Sequence, residues 1–117
     1  MKVFTLLGVL MSVSVYAAPT VPTVANNIET SSPTQIDRLI VYGKRGNGDV
    51  FLSTDANSEQ CADGYFIDKA SAGYEGSVSM LIAAYQAKTQ IQISGYTDSF
   101  WSGSTGQVCA LYNVTYP

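Results

Sequence analysis

The sequence contains no histidine. That single absence excludes a histidine-centred catalytic triad, the usual zinc site and an imidazole general base. Charge is sparse as well: six Lys and Arg stand against nine Asp and Glu, for a formal net charge of −3. This balance argues against a nucleic-acid partner and against electrostatic capture by anionic membranes. No apolar run reaches the roughly 20 residues of a spanning helix, so no integral membrane segment is expected. Serine nucleophiles would lack both a histidine and an elbow motif. The carboxylates Asp49, Asp55, Glu59, Asp63 and Asp68 fall on or near turns, where a solvated acid needs no catalytic explanation. Asp55-Ala56-Asn57 begins like a calcium loop but lacks the glycine and terminal glutamate at the required offsets. The expectation is therefore a protein that is not an enzyme, with no cofactor, no metal and no catalytic residues.

What is present first is an export signal. Lys2 supplies the basic start, Val3–Val15 an apolar stretch, and Val15 and Ala17 the small residues before a cleavage point. Residues 1–17 read as a signal peptide, which places the protein outside the cytoplasm, secreted or periplasmic. Loss of Lys2 lowers the net charge from −3 to −4. About 100 residues remain, one domain's worth and small enough for a covalent staple to matter. Cys61 and Cys109 are the only cysteines. In an oxidising compartment the pair reads most simply as one disulfide. Asn113-Val114-Thr115 satisfies the N-glycosylation rule but lies in an expected strand, and we read it as coincidental.

Residues 18–36 carry three prolines and many small polar residues without periodicity, which suggests a flexible arm or an extended edge segment. The domain proper is expected at 37–117. Asp37–Gly43 reads as a strand and Lys44–Asp49 as a turn, with Asn47-Gly48 a strong hairpin signal. Val50–Ser53 returns as a second strand and Tyr65–Lys69 forms a third. Ser77–Lys88 is the expected helix, capped by Ser77, with Val78, Leu81, Ile82 and Tyr85 at helical spacing. Gln90–Tyr96 follows as a half-buried strand with Ile91 and Ile93 inward. Gly95–Gly106 is then a connection and Gln107–Tyr116 the last strand. In that strand Val108, Ala110, Tyr112, Val114 and Tyr116 should share one face. Three strands, a helix and two strands match a five-stranded, OB-like barrel with its helix between strands three and four, so a mainly β fold is expected.

The signal peptide, the small disulfide-closed β domain and the segment Gly76–Ile93, with Leu81-Ile82-Ala83-Ala84-Tyr85 leading into an alternating strand, carry a distant resemblance. The chain resembles the cell-binding B subunits of bacterial AB5 toxins of the subtilase-cytotoxin and pertussis-like type, and small exported bacterial proteins of unassigned role. The resemblance implies an OB fold, assembly into a homo-oligomeric ring of five, and binding of cell-surface glycans.

The residues offer two non-catalytic roles. Tyr96, Asp98, Phe100 and Trp101 combine aromatic rings with short polar groups in a connection, the composition of a ligand patch. Tyr74, beside Glu75, is a further candidate contact. The alternative for Phe100 and Trp101 is a cap on one end of the core. The second role is assembly through protein–protein contacts, with Tyr42, Met80, Tyr85, Tyr112 and Tyr116 as interface candidates.

Overall fold

The computed structural model describes Gly8 and residues 27–117. The segment read as a signal peptide and residues 18–26 of the expected arm, Gly8 apart, lie outside the described residues. Six strands and one helix follow: β1 (Ile28–Thr30), β2 (Ile36–Val41), β3 (Val50–Thr54), β4 (Gly64–Ile67), α1 (Tyr74–Ala87), β5 (Gln92–Phe100) and β6 (Val108–Thr115). They form one sheet in the order β1-β5-β6-β4-β3-β2. The β4–β6 pair is parallel and the other pairs are antiparallel.

The expected five-stranded OB-like barrel is not what forms. A barrel requires a ladder between its two outermost strands, and here β1 and β2 are opposite edges of an open, mixed sheet. The chain leaves β1 after Thr30 and makes only an isolated bridge, Thr34 to Ile91, before β2 begins. The segment read as an arm contains β1, which pairs Ile28, Glu29 and Thr30 with Tyr96, Gly95 and Ser94. This extra strand also moves the helix from after the third strand to after the fourth.

The hairpin between β2 and β3 forms at the Asn-Gly dipeptide. Asn47 (φ 55°) and Gly48 (φ 75°) both take positive φ, after a 3-10 turn over Lys44–Gly46. The tip is thus longer than a two-residue turn. The helix starts earlier than its apolar spacing suggests. Gly73 occupies the N-cap position without a side-chain bond, so Ser77 lies inside the helix and caps nothing. Glu75 in the first turn complements the positive helix end, and Lys88 closes the other end in the left-handed region at φ 53°.

The core lies between α1 and one sheet face. Leu39, Leu52, Tyr65 and Cys109 align as one cross-strand row, and all but the partly buried Leu39 are fully buried. Leu81, Ala84, Ile91 and Ile93 join them in one cluster. The inward stripe of the helix is narrower than expected. Leu81 and Ala84 are buried, whereas Ile82 and Tyr85 remain 45% and 42% exposed. The Tyr65 hydroxyl sits within this core and meets the Ser58 backbone N–H at 3.0 Å and the Ser58 hydroxyl at 2.9 Å, which satisfies the polar end of a buried ring.

Cys61 and Cys109 form the expected disulfide, with Cα atoms 5.4 Å apart. Gly95 lies against it. A Cβ there would come within 2.9 Å of both the Cys109 Cβ and a Tyr65 ring carbon, so β5 can approach the bridge only without a side chain. The last strand departs from simple alternation. The register steps from Ser94–Asn113 to Gly95–Leu111, leaving Tyr112 as an extra residue on β6. Leu111 and Val114 can therefore both pack on the core, and Val114 does not share a face with Ala110.

Candidate functional site

The site grows from the sheet face turned away from the core. Directly opposed residues in neighbouring strands share a face, so the pairings Ile40–Phe51, Phe51–Phe66, Phe66–Ala110, Ala110–Tyr96 and Tyr96–Ile28 define one row across all six strands. All six residues are half-buried. On each strand they alternate with residues that point into or border the core, such as Leu39, Leu52, Tyr65 and Cys109, so period-two patterning puts apolar groups on both faces.

Trp101 completes one end of this row. Its ring stacks at 24° to Phe51 and Phe66, with centroids 6.1 and 6.0 Å away, and tilts against Tyr42 at 5.3 Å. Its indole Nε1 donates to Asp49 Oδ2 at 3.0 Å, and its backbone N–H donates to Val108. The following residues fold tightly against the ring: a Cβ on Gly103 would lie 2.5 Å from two indole carbons. Trp101 is thus both pinned by the β2–β3 turn and stacked on the sheet.

Beside it opens a cleft of about 230 Å³ lined by Arg38, Ile40, Tyr42, Phe51, Trp101, Gly103 and Ser104. Arg38 is its one charged lining residue. Its walls are aromatic and its rim is polar, the general chemistry of a binding cleft. A second, more polar depression of about 390 Å³ lies near the start of β2, lined by Gln35, Ile36, Asp37, Tyr85, Gln86 and Lys88. No aromatic cluster comparable to that around Trp101 converges there.

The expected ligand residues are dispersed by this architecture. Tyr96 makes an edge-to-face contact with Tyr112 at 5.4 Å, across the row from Trp101. Asp98 receives both side-chain bonds of Asn27, at 3.1 and 3.0 Å, in the three-residue irregularity between Tyr96 and Phe100. Phe100 is 49% exposed at the end of β5. Tyr74 donates its hydroxyl to the Gly48 carbonyl at 2.8 Å and braces the hairpin. Of the five, Trp101 alone lines the cleft. Tyr42, expected only as an interface residue, also lines the cleft, whereas Arg38, Ile40 and Phe51 were missed because strand register brings them together. The available signal was the apolar residue at every other place beside an inward one, Phe51 next to Leu52 and Phe66 next to Tyr65.

The pin on the indole has a measurable consequence. Asp49→Ala is expected to shift the emission of the sole tryptophan to the red and lower unfolding free energy by about 1.5–3 kcal/mol, the range for a hydrogen bond to a charged group. Unchanged emission would show that stacking alone holds the ring.

Among the described residues no helix is long and apolar enough to cross a membrane, and no group of three or more His, Cys, Asp or Glu side chains could hold a metal ion. No protein-family model matches the chain, and no curated protein matches it.

Proposed function

We infer that the protein is an exported, non-catalytic binding module that holds a protein partner in the cleft beside Trp101. The observation that carries this reading is the convergence of Arg38, Tyr42, Phe51 and Trp101 on one cleft at the open β2 side of the sheet. Trp, Tyr and Arg are the residues most enriched where binding energy concentrates at protein interfaces. A glycan would need a ring free to lie under its apolar face. The Trp101 ring has Phe51 and Phe66 stacked against it and Gly103 folded close to it, which favours the protein partner among the two non-catalytic roles.

The test is a parallel screen of the exported protein against a phage-displayed random peptide library and a glycan array. The comparison variant is Ser104→Tyr, which places a ring in the cleft from an exposed loop position. Peptides are expected to be enriched on the native protein and lost on the variant, with the array blank. Glycan hits alone, or peptide enrichment indifferent to Ser104→Tyr, would overturn the reading.

A further inference from the structure

We propose that the cleft captures its partner by strand addition: an extended segment carrying an acidic residue pairs with the free edge of β2 and becomes a seventh strand. The proposal rests on the protein-binding reading above and states how the partner is held.

The backbone provides the first argument. β2 ends the sheet order, with β3 on one side and, among the described residues, no strand on the other. Tyr42 donates its N–H to the Asp49 carbonyl at 2.9 Å, so this position is a hydrogen-bonded pair of the β2–β3 ladder. The antiparallel alternation then makes Ile40–Phe51 and Arg38–Ser53 the next such pairs. Leu39 and Val41 fall between them, so their N–H and C=O groups point out of the sheet. Val41 is 59% exposed, the highest value among the large apolar residues. The register is regular from Arg38 to Val41, the only irregularity of this pair falling before it, between Ile36 and Arg38. Edges of this kind are usually blunted by a bulge, a proline or a covering element.

The side chains provide the second. Arg38, Ile40 and Tyr42 alternate along this edge, and all three line the cleft. A strand paired to Leu39 and Val41 would present every second side chain to the same face, and those side chains would enter the cleft. The cleft carries one formal charge, the Arg38 guanidinium, and no carboxylate lines it. A carboxylate is its complement and can be held by two parallel hydrogen bonds. The aromatic end, where Tyr42 and Trp101 meet, accepts a ring or branched apolar group. Antiparallel to β2, the partner therefore reads aromatic, any residue, β-branched, any residue, acidic. Main-chain bonds would supply affinity and alternate pockets specificity, as in other edge-strand complexes.

The experiment uses the exported protein and a defined probe, the capped heptapeptide Thr-Phe-Thr-Val-Thr-Glu-Thr, titrated calorimetrically. Three comparisons are made: the same peptide N-methylated at its third and fifth residues, which face Val41 and Leu39; the peptide with Lys for Glu; and the variants Arg38→Glu, Val41→Pro and Ser104→Tyr. The Val41 N–H takes no part in the β2–β3 ladder, so proline there should leave that ladder intact. Circular dichroism and tryptophan emission verify the fold. Saturable binding is expected, at least tenfold weaker for the N-methylated and Lys peptides and for Val41→Pro. Arg38→Glu should reverse the preference between Glu and Lys peptides.

Equal binding of the N-methylated peptide to native protein, lost on Ser104→Tyr, would sink strand addition while leaving the cleft as the site. Peptide binding indifferent to Ser104→Tyr would sink the cleft itself. Absence of saturable binding at millimolar peptide would overturn the proposal. So would sedimentation of the native protein as a dimer that Val41→Pro dissociates, since a second copy would then hold the edge.

Discussion

Replacing Cys61 and Cys109 together with alanine is expected to lower unfolding free energy by about 4 kcal/mol, the closure entropy of a loop this long in the simple chain model. The bridge spans 48 residues of sequence and is fully buried at both ends. It ties the 3-10 turn over Glu59–Cys61, which precedes β4, to β6, the parallel neighbour of β4. Each alanine also removes a buried sulfur and leaves a void, which adds to the loss. Net stabilities of small domains are commonly 5–15 kcal/mol, so the variant would retain little reserve. Urea unfolding of native protein, reduced native protein and the double variant checks this. A double variant within 1 kcal/mol of the native protein would show that the bridge contributes little to stability.

The second large effect is expected at Gly64, where β4 begins. Its φ of 125° lies where side chains are strongly disfavoured, and a Cβ there would collide with the Leu52 carbonyl oxygen. A backbone oxygen cannot swing aside as the end of a flexible side chain can. Gly64 also starts the parallel ladder, opposite Val108. Gly64→Ala should therefore cost about 3 kcal/mol, from backbone strain together with displacement of β3. In a domain of this size that corresponds to a fall in Tm of more than about 10 °C. Thermal unfolding followed by far-UV circular dichroism is the check, with Gly73→Ala as the comparison. At Gly73 the nearest atom to an added Cβ is the Ser77 hydroxyl at 3.7 Å. Equal Tm values for the two variants would refute the account of Gly64.

Local chemistry was readable where neighbouring residues decide the outcome. The Asn47-Gly48 turn, the helix between β4 and β5 and the inward pair Ile91 and Ile93 all follow from short-range pattern. The disulfide followed from there being only two cysteines. Features decided by distant residues were not readable. β1 has three residues and exists through its pairing with β5. The reach of β5 to Phe100 depends on an irregularity after Tyr96 that no local signal announces. The openness of the sheet depends on which strands meet across the whole chain. Trp101 was singled out from its sequence neighbours, yet its actual surroundings are Tyr42, Phe51, Phe66 and Asp49. Those residues come from three separate stretches, the end of β2, the start of β3 and β4, that strand pairing brings together.

The strand order has a consequence for how the molecule assembles. β6, last in sequence, lies between β5 and β4. Without it the remaining strands fall into two pieces, β1 with β5 and β2-β3-β4, that share no ladder. A chain ending at Gly106 thus has two half-sheets and an unpaired Cys61. The continuous sheet is complete only when the final segment lies between the edges of those two half-sheets, and Cys109 is carried on that same segment. The sheet and its covalent lock thus depend on the same eight residues of β6.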